Sequence, residues 1–218
     1  MPDRAVLLDL YDTLVDGDWH GWRTQLSSLT GIDEDALAMA YHVTREERNT
    51  GAYPTAEDSM RALLVAAGLE APPDALVRTV VKAEEDFGGS VRLYDDSLPT
   101  VAALRERGIR TALVSNCSHA TRPIVEQLGL PALFDAVVLS FEIGVRKPEP
   151  GIYETALRAI QADPAQAIFV DDQTAYCDGA RALGIDTRLI VRNGATPAEG
   201  FAASTNGHTV ITDLTSLL

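Results

Sequence analysis

The sequence is poor in cysteine, in clustered histidine and in long apolar runs. It has 2 cysteines, Cys117 and Cys177, too few for a disulfide framework and without metal-ligand spacing, so we expect both to be reduced. The 4 histidines are scattered, and no two of them lie four residues apart as paired metal ligands on a helix do. No apolar run approaches the roughly 20 residues that a membrane span requires. A disulfide scaffold, a histidine metal centre and a membrane protein are therefore disfavoured.

Positive charge is also scarce, because 18 basic residues stand against 32 acidic ones for a net charge of −14. Such a field opposes binding to nucleic acid or to anionic membranes, although a local basic patch could still receive a small phosphorylated substrate. The first residues form no basic and apolar leader, so we expect no export and a cytoplasmic location. Monomer and homodimer are equally open.

Periodicity divides the chain into a helical stretch and an alternating one. Residues 16–89 have the pattern of amphipathic helices near 19–29, 34–48, 56–67 and 74–86, before a predicted hinge at Gly88-Gly89. The rest alternates strands with helices, which predicts an α/β fold with a parallel sheet. The strands are expected near 4–9, 110–115, 136–139, 167–171, 187–191 and 209–211. We therefore predict a core of residues 1–15 and 90–218 with a helical insertion at 16–89.

Polar side chains close three of the predicted strands. Asp9 ends the first, Ser115 ends the second, and the pair Asp171-Asp172 ends the fourth. Lys147 stands before a Pro-Glu-Pro segment in which a proline could open a helix, so a cation is expected near a helix start. Because the carboxyl ends of parallel strands meet at one edge, these groups should share a cleft. Taken alone, an aspartate such as Asp9 more often caps the turn after a strand, and the acid pair could equally form a turn.

The order Asp9, Ser115, Lys147, Asp171-Asp172 resembles the haloacid dehalogenase-like hydrolase superfamily over nearly the whole chain. The resemblance implies a three-layer α/β/α Rossmann-like core with a parallel sheet and an inserted helical cap subdomain. It also implies that Asp9 is a nucleophile that forms a covalent aspartyl intermediate. An ionised aspartate needs no base for that step.

In phosphatases of this family the resemblance implies a Mg²⁺ ion, held here by Asp9, the backbone carbonyl of Tyr11 and Asp172, with Asp171 close by. All-oxygen ligation suits that ion. Ser115 would bind a phosphoryl oxygen, and Lys147 would balance the crowded carboxylates. The remaining candidates for substrate binding are Asn116, Thr13 in the turn after Asp9, and Arg45.

Tyr11 departs from the phosphatase pattern, which has a second acid two residues after the nucleophile. A phenol is a poor base at neutral pH, and Asp12 is the neighbouring substitute. Tyrosine there resembles the 2-haloacid dehalogenases, as does Tyr153 six residues after Lys147. The last motif argues against them, because Asp171, Gln173 and Tyr176 stand where dehalogenases carry serine, asparagine and aspartate.

Three functions therefore remain: a phosphatase of a small phosphorylated metabolite, which we favour, a haloacid dehalogenase, and a non-catalytic binding protein. The side chains of the insertion should set substrate specificity, or else serve only in core packing or on an exposed basic face. Its candidate residues are Trp19, His20, Trp22, Arg23, Tyr41, Arg45 and Arg48.

Overall fold

The structure is a computed structural model that describes residues 5–192 and 205–218. Its strands are β1 (Ala5–Leu8), β2 (Val15–Asp16), β3 (Arg92–Leu93), β4 (Arg110–Ser115), β5 (Ala136–Leu139), β6 (Ala167–Asp171), β7 (Asp186–Ile190) and β8 (Thr209–Ile211). Six of them form a parallel sheet in the order β5-β4-β1-β6-β7-β8, and β2 pairs with β3 antiparallel. The strand that precedes Asp9 therefore lies at the centre of the main sheet.

Ten α-helices accompany these strands in the described part of the chain. They are α1 (Trp19–Thr30), α2 (Glu34–Val43), α3 (Arg45–Asn49), α4 (Ala56–Ala66), α5 (Asp74–Gly88), α6 (Ser97–Glu106), α7 (Thr121–Gln127), α8 (Ser140–Ile143), α9 (Pro150–Ala159) and α10 (Thr174–Ala182). None of the helices in the described residues is both long enough and apolar enough to cross a membrane.

The main sheet is covered by helices on both faces. Along β1, Ala5 and Leu7 join one buried apolar cluster while Val6 and Leu8 join another, as expected from the alternation of side chains along a strand. Helices α9 and α10 contribute to the first cluster, and α6 and α7 contribute to the second. The three-layer α/β/α fold with a parallel sheet is thus confirmed.

Helices α1 to α5 lie between β2 and β3 in the chain and have an apolar core of their own. Its buried members are Trp22, Leu26, Leu37, Ala40, Met60, Leu63, Leu64, Val77, Val80 and Val81. We propose that residues 16–89 form a cap subdomain and that residues 1–15 and 90–218 form the core. Residues 1–4 and 193–204 of that core, including the expected start of the first strand, lie outside the described residues.

The elements differ from the sequence-based expectation at three points. The helix expected over 34–48 is divided at Thr44, whose hydroxyl donates back to the Ala40 carbonyl at 2.7 Å and so favours a bend. The strands β2 and β3 were not expected, because two residues are too few to show a period. Gly88 is the last residue of α5 rather than part of a hinge after it, and a Cβ there would come within 2.7 Å of Ile124 on α7. The small residue thus permits a close helix contact.

Candidate active site

Three neighbouring strands carry acidic or hydroxyl groups to one edge of the main sheet. Asp9 follows the central strand β1 directly, Ser115 is the last residue of β4, and Asp171 is the last residue of β6. Lys147 reaches the same place from the loop between α8 and α9. The proline that opens α9 is Pro150, so the lysine lies just outside that helix.

Lys147 is the cation at the centre of this cluster, with only 1% of its surface exposed. Its Nζ donates to Asp9 Oδ1 and to Asp171 Oδ2, each at 2.6 Å. Burial alone would lower the pKa of Lys147, but Asp171 and Asp9 outweigh that effect and raise it, so the lysine is charged. Burial raises the pKa of Asp9; Lys147 opposes this increase, while Asp171 adds to it. One buried cation therefore holds two carboxylates.

Asp172 completes a group of three carboxylates. One oxygen from each of Asp9, Asp171 and Asp172 lies within 4.8 Å of the others. The second oxygen of Asp171 accepts from the backbone N–H of Gln173 at 2.8 Å, so both of its oxygens are engaged. Asp172 is half-buried, and burial followed by repulsion from Asp171 and Asp9 raises its pKa. Negative charge therefore exceeds positive charge here.

This donor set fits a divalent cation that prefers oxygen. Opposite ligands of an octahedral Mg²⁺ are about 4.2 Å apart, and the carboxylate spacing is of that order. Asp172 has no hydrogen-bond partner among the described residues, and no described backbone N–H donates to the Tyr11 carbonyl. Asp9, Asp172 and the Tyr11 carbonyl are the groups that could hold the ion, while Asp171 is committed to Lys147 and Gln173.

The contacts of the Tyr11 side chain are with groups outside this acid cluster. Its hydroxyl shares a 2.7 Å hydrogen bond with Thr121 Oγ1 of α7, and its ring packs edge-on against Trp19 with centroids 5.0 Å apart. Burial raises its pKa above the ordinary phenol value. Tyr11 is thus poorly suited to transfer protons.

Asp12, the next residue, has a positive φ of 57° and lines the adjoining cavity. Burial, followed by repulsion from Asp16, raises its pKa.

The side-chain amide of Asn116 uses both of its polar atoms to bond the backbone of Lys147. Its Nδ2 donates to the Lys147 carbonyl at 2.9 Å, and its Oδ1 accepts from the Lys147 N–H at 2.7 Å. The amide therefore fixes the peptide that carries the central cation.

Ser115, the residue before Asn116, is fully buried, and its hydroxyl has no partner among the described residues. A buried hydroxyl in that state is available to donate to a ligand.

A cavity of about 450 Å³ lies between this sheet edge and the helical insertion. The sheet side contributes Asp9, Asn116 and Lys147, with Tyr176 of α10 beside them. The insertion contributes Trp19, Trp22, Tyr41, His42, Arg45, Arg48, Asn49, Glu84 and Phe87. The base of the cavity therefore carries both negative and positive charge, and the insertion side combines aromatic with charged side chains.

Two arginines of the insertion have different surroundings. Arg48 is buried, donates to Ser59 Oγ at 3.1 Å, lies 3.6 Å from Glu84 and stacks on Tyr41. Burial raises the pKa of Glu84, and Arg48 opposes that shift. Arg45 reaches across to the Tyr176 hydroxyl at 3.4 Å, a long hydrogen bond that leaves most of its donors for a ligand.

The sequence-predicted residues fall into two groups. Asp9, Tyr11, Arg45, Asn116 and Lys147 line the cavity, whereas Ser115, Asp171 and Asp172 lie at the same sheet edge outside its lining. Thr13 is fully buried outside the lining, and its carbonyl accepts two bonds from Arg192. Its role in substrate binding stays a prediction that this position does not favour.

Sequence reasoning missed several lining residues, and among its cap candidates two lie elsewhere. His20 and Arg23 are not part of the lining. The candidates that do line the cavity are Trp19, Trp22, Tyr41, Arg45 and Arg48. Thr121 and Glu84 were not anticipated, because each was an ordinary polar residue within a helical pattern. The helical spacing of Tyr41, Arg45 and Arg48 was the signal available for this surface.

Comparison with known proteins relates the chain to a single family. A family model described as haloacid dehalogenase-like hydrolase matches residues 4–184. Glyceraldehyde 3-phosphate phosphatase of Methanopyrus kandleri is 32% identical over 180 residues, covering 78% of this chain and 76% of that protein. (S)-2-haloacid dehalogenase 1 of a Pseudomonas species is 26% identical over 227 aligned positions, covering 100% and 97%. Phosphatases and dehalogenases are thus both relatives.

Solved structures give the same fold at lower identity. The L-2-haloacid dehalogenase of Xanthobacter autotrophicus with chloropropionic acid covalently bound superposes with a TM-score of 0.70 at 19% identity, covering 100% of this chain and 97% of that one. A HAD-family enzyme of Bacteroides thetaiotaomicron, in complex with magnesium and inorganic phosphate, has a TM-score of 0.64 at 18% identity, covering 84% and 92%. Together with the family match, these findings establish that the chain belongs to the haloacid dehalogenase-like hydrolases and is an enzyme of that class.

Proposed function

We propose that this hydrolase is a Mg²⁺-dependent phosphatase that acts on a small phosphorylated metabolite through an aspartyl-phosphate on Asp9. The observation that carries the proposal is the excess of buried carboxylate around Lys147, with Asp172 unpartnered among the described residues. A dehalogenase that works without metal gains nothing from a third carboxylate in that position. A divalent cation offsets this charge.

The chain's own groups account for binding and the first chemical step. A carboxylate oxygen of Asp9 forms a bond to phosphorus as the bond to the leaving oxygen breaks, and the electron pair departs with that oxygen. Ser115 Oγ and the backbone N–H of Asn116 donate to phosphoryl oxygens. Lys147 stabilises the charge that builds there. Water then attacks the aspartyl-phosphate and releases phosphate and free Asp9. The ion, when bound, supplies further positive charge to the phosphoryl oxygens.

The first experiment measures phosphate release from a panel of phosphate esters with Mg²⁺ and with a chelator. Asp9→Asn should lower turnover on the order of 10⁴-fold or more, because the nucleophile is lost. The matched control is Asp95→Asn, which makes the same change at an exposed residue outside the cavity and should keep wild-type turnover. Phosphate release by Asp9→Asn at the wild-type rate would refute the nucleophile assignment.

A second experiment tests the metal without relying on turnover. Mg²⁺ at about 100 times its Kd stabilises a folded protein by about 2.7 kcal/mol through linkage. We expect a rise in the melting temperature of the wild type, and little or none in Asp172→Asn. Equal rises in both would remove Asp172 from the metal site.

A second candidate function, 2-haloacid dehalogenation, is favoured by one observation, the presence of Tyr11 two residues after Asp9. A halide leaves without a proton, so no acid is needed at that position. Halide release from 2-chloropropionate that depends on Asp9 and persists in chelator, with no phosphate release from any ester, would select this function instead.

A further inference from the structure

A continuous aromatic wall runs from beside the nucleophile into the insertion. Ring centroids lie 5.0 Å apart for Tyr11 and Trp19, 5.4 Å for Trp19 and Phe87, and 5.5 Å for Phe87 and Trp22. Trp22 Nε1 donates to the Tyr41 hydroxyl at 2.8 Å and so extends the wall by one ring. All five side chains line the cavity. A flat aromatic group of a ligand would find stacking or edge-to-face partners along this wall.

The side chains around the nucleophile offer little help to a leaving group that needs a proton. The position where a second acid is expected holds Tyr11, and its hydroxyl is already bonded to Thr121 at 2.7 Å. Among the other carboxylates of the lining, Glu84 is held near Arg48 at 3.6 Å. Asp12 also belongs to the lining, but it follows Tyr11 with a positive φ of 57° and does not occupy the position where the second acid is expected.

Taking the proposed phosphatase activity as the basis, we infer that the substrates are phosphate monoesters of aromatic hydroxyl groups rather than of alkyl alcohols. A phenolate is a weak enough base to depart unprotonated, whereas an alkoxide requires an acid at the moment of bond cleavage. When the Asp9–phosphorus bond forms and the phosphorus–oxygen bond breaks, the electron pair leaves on the aryl oxygen. That oxygen takes its proton from water afterwards. The aromatic wall binds the ring of the same group.

The test compares kcat/KM for a series of substituted phenyl phosphates with glycerol phosphate, all with Mg²⁺ and the wild-type enzyme. We expect kcat/KM to fall steadily as the leaving phenol becomes more basic. Glycerol phosphate should be slower than phenyl phosphate by about 10² to 10⁴-fold, the usual worth of a missing acid. Comparable values for the two classes, with dependence on Asp9 retained, would show that an acid such as Asp12 operates and would overturn this inference while leaving the phosphatase activity intact. No Asp9-dependent phosphate release from any ester would overturn both.

Two variants examine the separate parts of the inference. Tyr11→Asp should raise turnover of glycerol phosphate and flatten the dependence on leaving-group basicity; an unchanged dependence would contradict the role given to this position. Trp19→Leu should raise KM for phenyl phosphate about three- to tenfold, from the loss of one ring contact, with little change for glycerol phosphate. The matched control is Phe141→Leu, another half-buried aromatic that does not line the cavity. Equal KM changes for both substrates in Trp19→Leu would show that the wall does not recognise the ring.

Discussion

Replacing Lys147 with methionine tests the electrostatic account of the acid cluster most directly. The side chain is 1% exposed, and the change removes two ion pairs of 2.6 Å while leaving Asp9 and Asp171 buried. Solvent screens such pairs weakly. Loss of one partner of a buried pair typically costs about 3–5 kcal/mol, because a charge is left uncompensated. We expect a loss of that size in the free energy of unfolding at pH 8, measured by urea denaturation in the presence of a chelator.

The loss should depend on pH in a definite direction. Burial and Asp171 raise the pKa of Asp9, and Lys147 opposes them, so its removal raises that pKa further. A carboxyl whose pKa is higher in the folded state destabilises the fold as pH rises from its unfolded value, about 3.9, through the raised folded value. The variant should therefore lose less stability at pH 5 than at pH 8. Each further unit of pKa shift adds about 1.4 kcal/mol to that difference until the folded pKa passes the upper pH of the comparison.

A double variant separates charge from packing. Adding Asp171→Asn to Lys147→Met removes one uncompensated carboxylate, so part of the stability lost at pH 8 should return. A single variant within about 1 kcal/mol of the wild type at both pH values would refute the reasoning, since a typical broken buried pair costs several times that. So would a loss that is identical at pH 5 and pH 8.

Three further changes address the supports of the site. Asn116→Ala removes both side-chain bonds to the peptide of Lys147 and should lower kcat more than it alters KM in steady-state assays. Gly179→Ala would place a Cβ within 2.6 Å of the Pro148 carbonyl oxygen, and should lower the free energy of unfolding by about 1–3 kcal/mol in urea titrations. Arg192→Met removes a buried guanidinium that donates to the Thr13 carbonyl, in the loop after the nucleophile, and pairs with Asp96. It should lower the free energy of unfolding by about 3 kcal/mol in the same titration.

Each of these has an outcome that contradicts it. A rise in KM alone for Asn116→Ala would indicate a ligand contact rather than a positioning role. Unaltered stability in Gly179→Ala would mean that α10 can move away from Pro148 freely. For Arg192→Met the matched control is Arg188→Met, which breaks a more exposed pair with Asp186 and should cost under about 1 kcal/mol. Equal losses in the two arginine variants would remove the special contribution of the buried one.

The sequence was sufficient to anticipate the sheet and the acids at its edge. A parallel sheet brings the carboxyl ends of its strands together whatever the loops do, so Asp9, Ser115 and Asp171 could be placed on one edge from their strand ends alone. The hydrogen-bond partners within that edge were not accessible in the same way. That Asn116 would bond the peptide of Lys147, 31 residues away, depends on the path of a loop that has no periodic pattern.

The insertion was less predictable for a related reason. Its helices could be recognised from their apolar spacing, but spacing does not tell which polar face turns toward the core. Arg48 looked like part of an exposed basic face and is instead buried beside Glu84 and Ser59. Thr13 lies in the turn after the nucleophile, which suggested a ligand contact, but its side chain is fully buried outside the cavity lining, so that contact stays a prediction.

The chain contains 2 tryptophans, and both Trp19 and Trp22 line the cavity. Their indole emission therefore comes from the cavity in which the proposed ligand would change the local polarity. A spectrofluorometer can follow occupancy of the unlabelled wild-type enzyme directly, before any product has been identified. The same signal would distinguish ligands that bind without turning over from those that never enter.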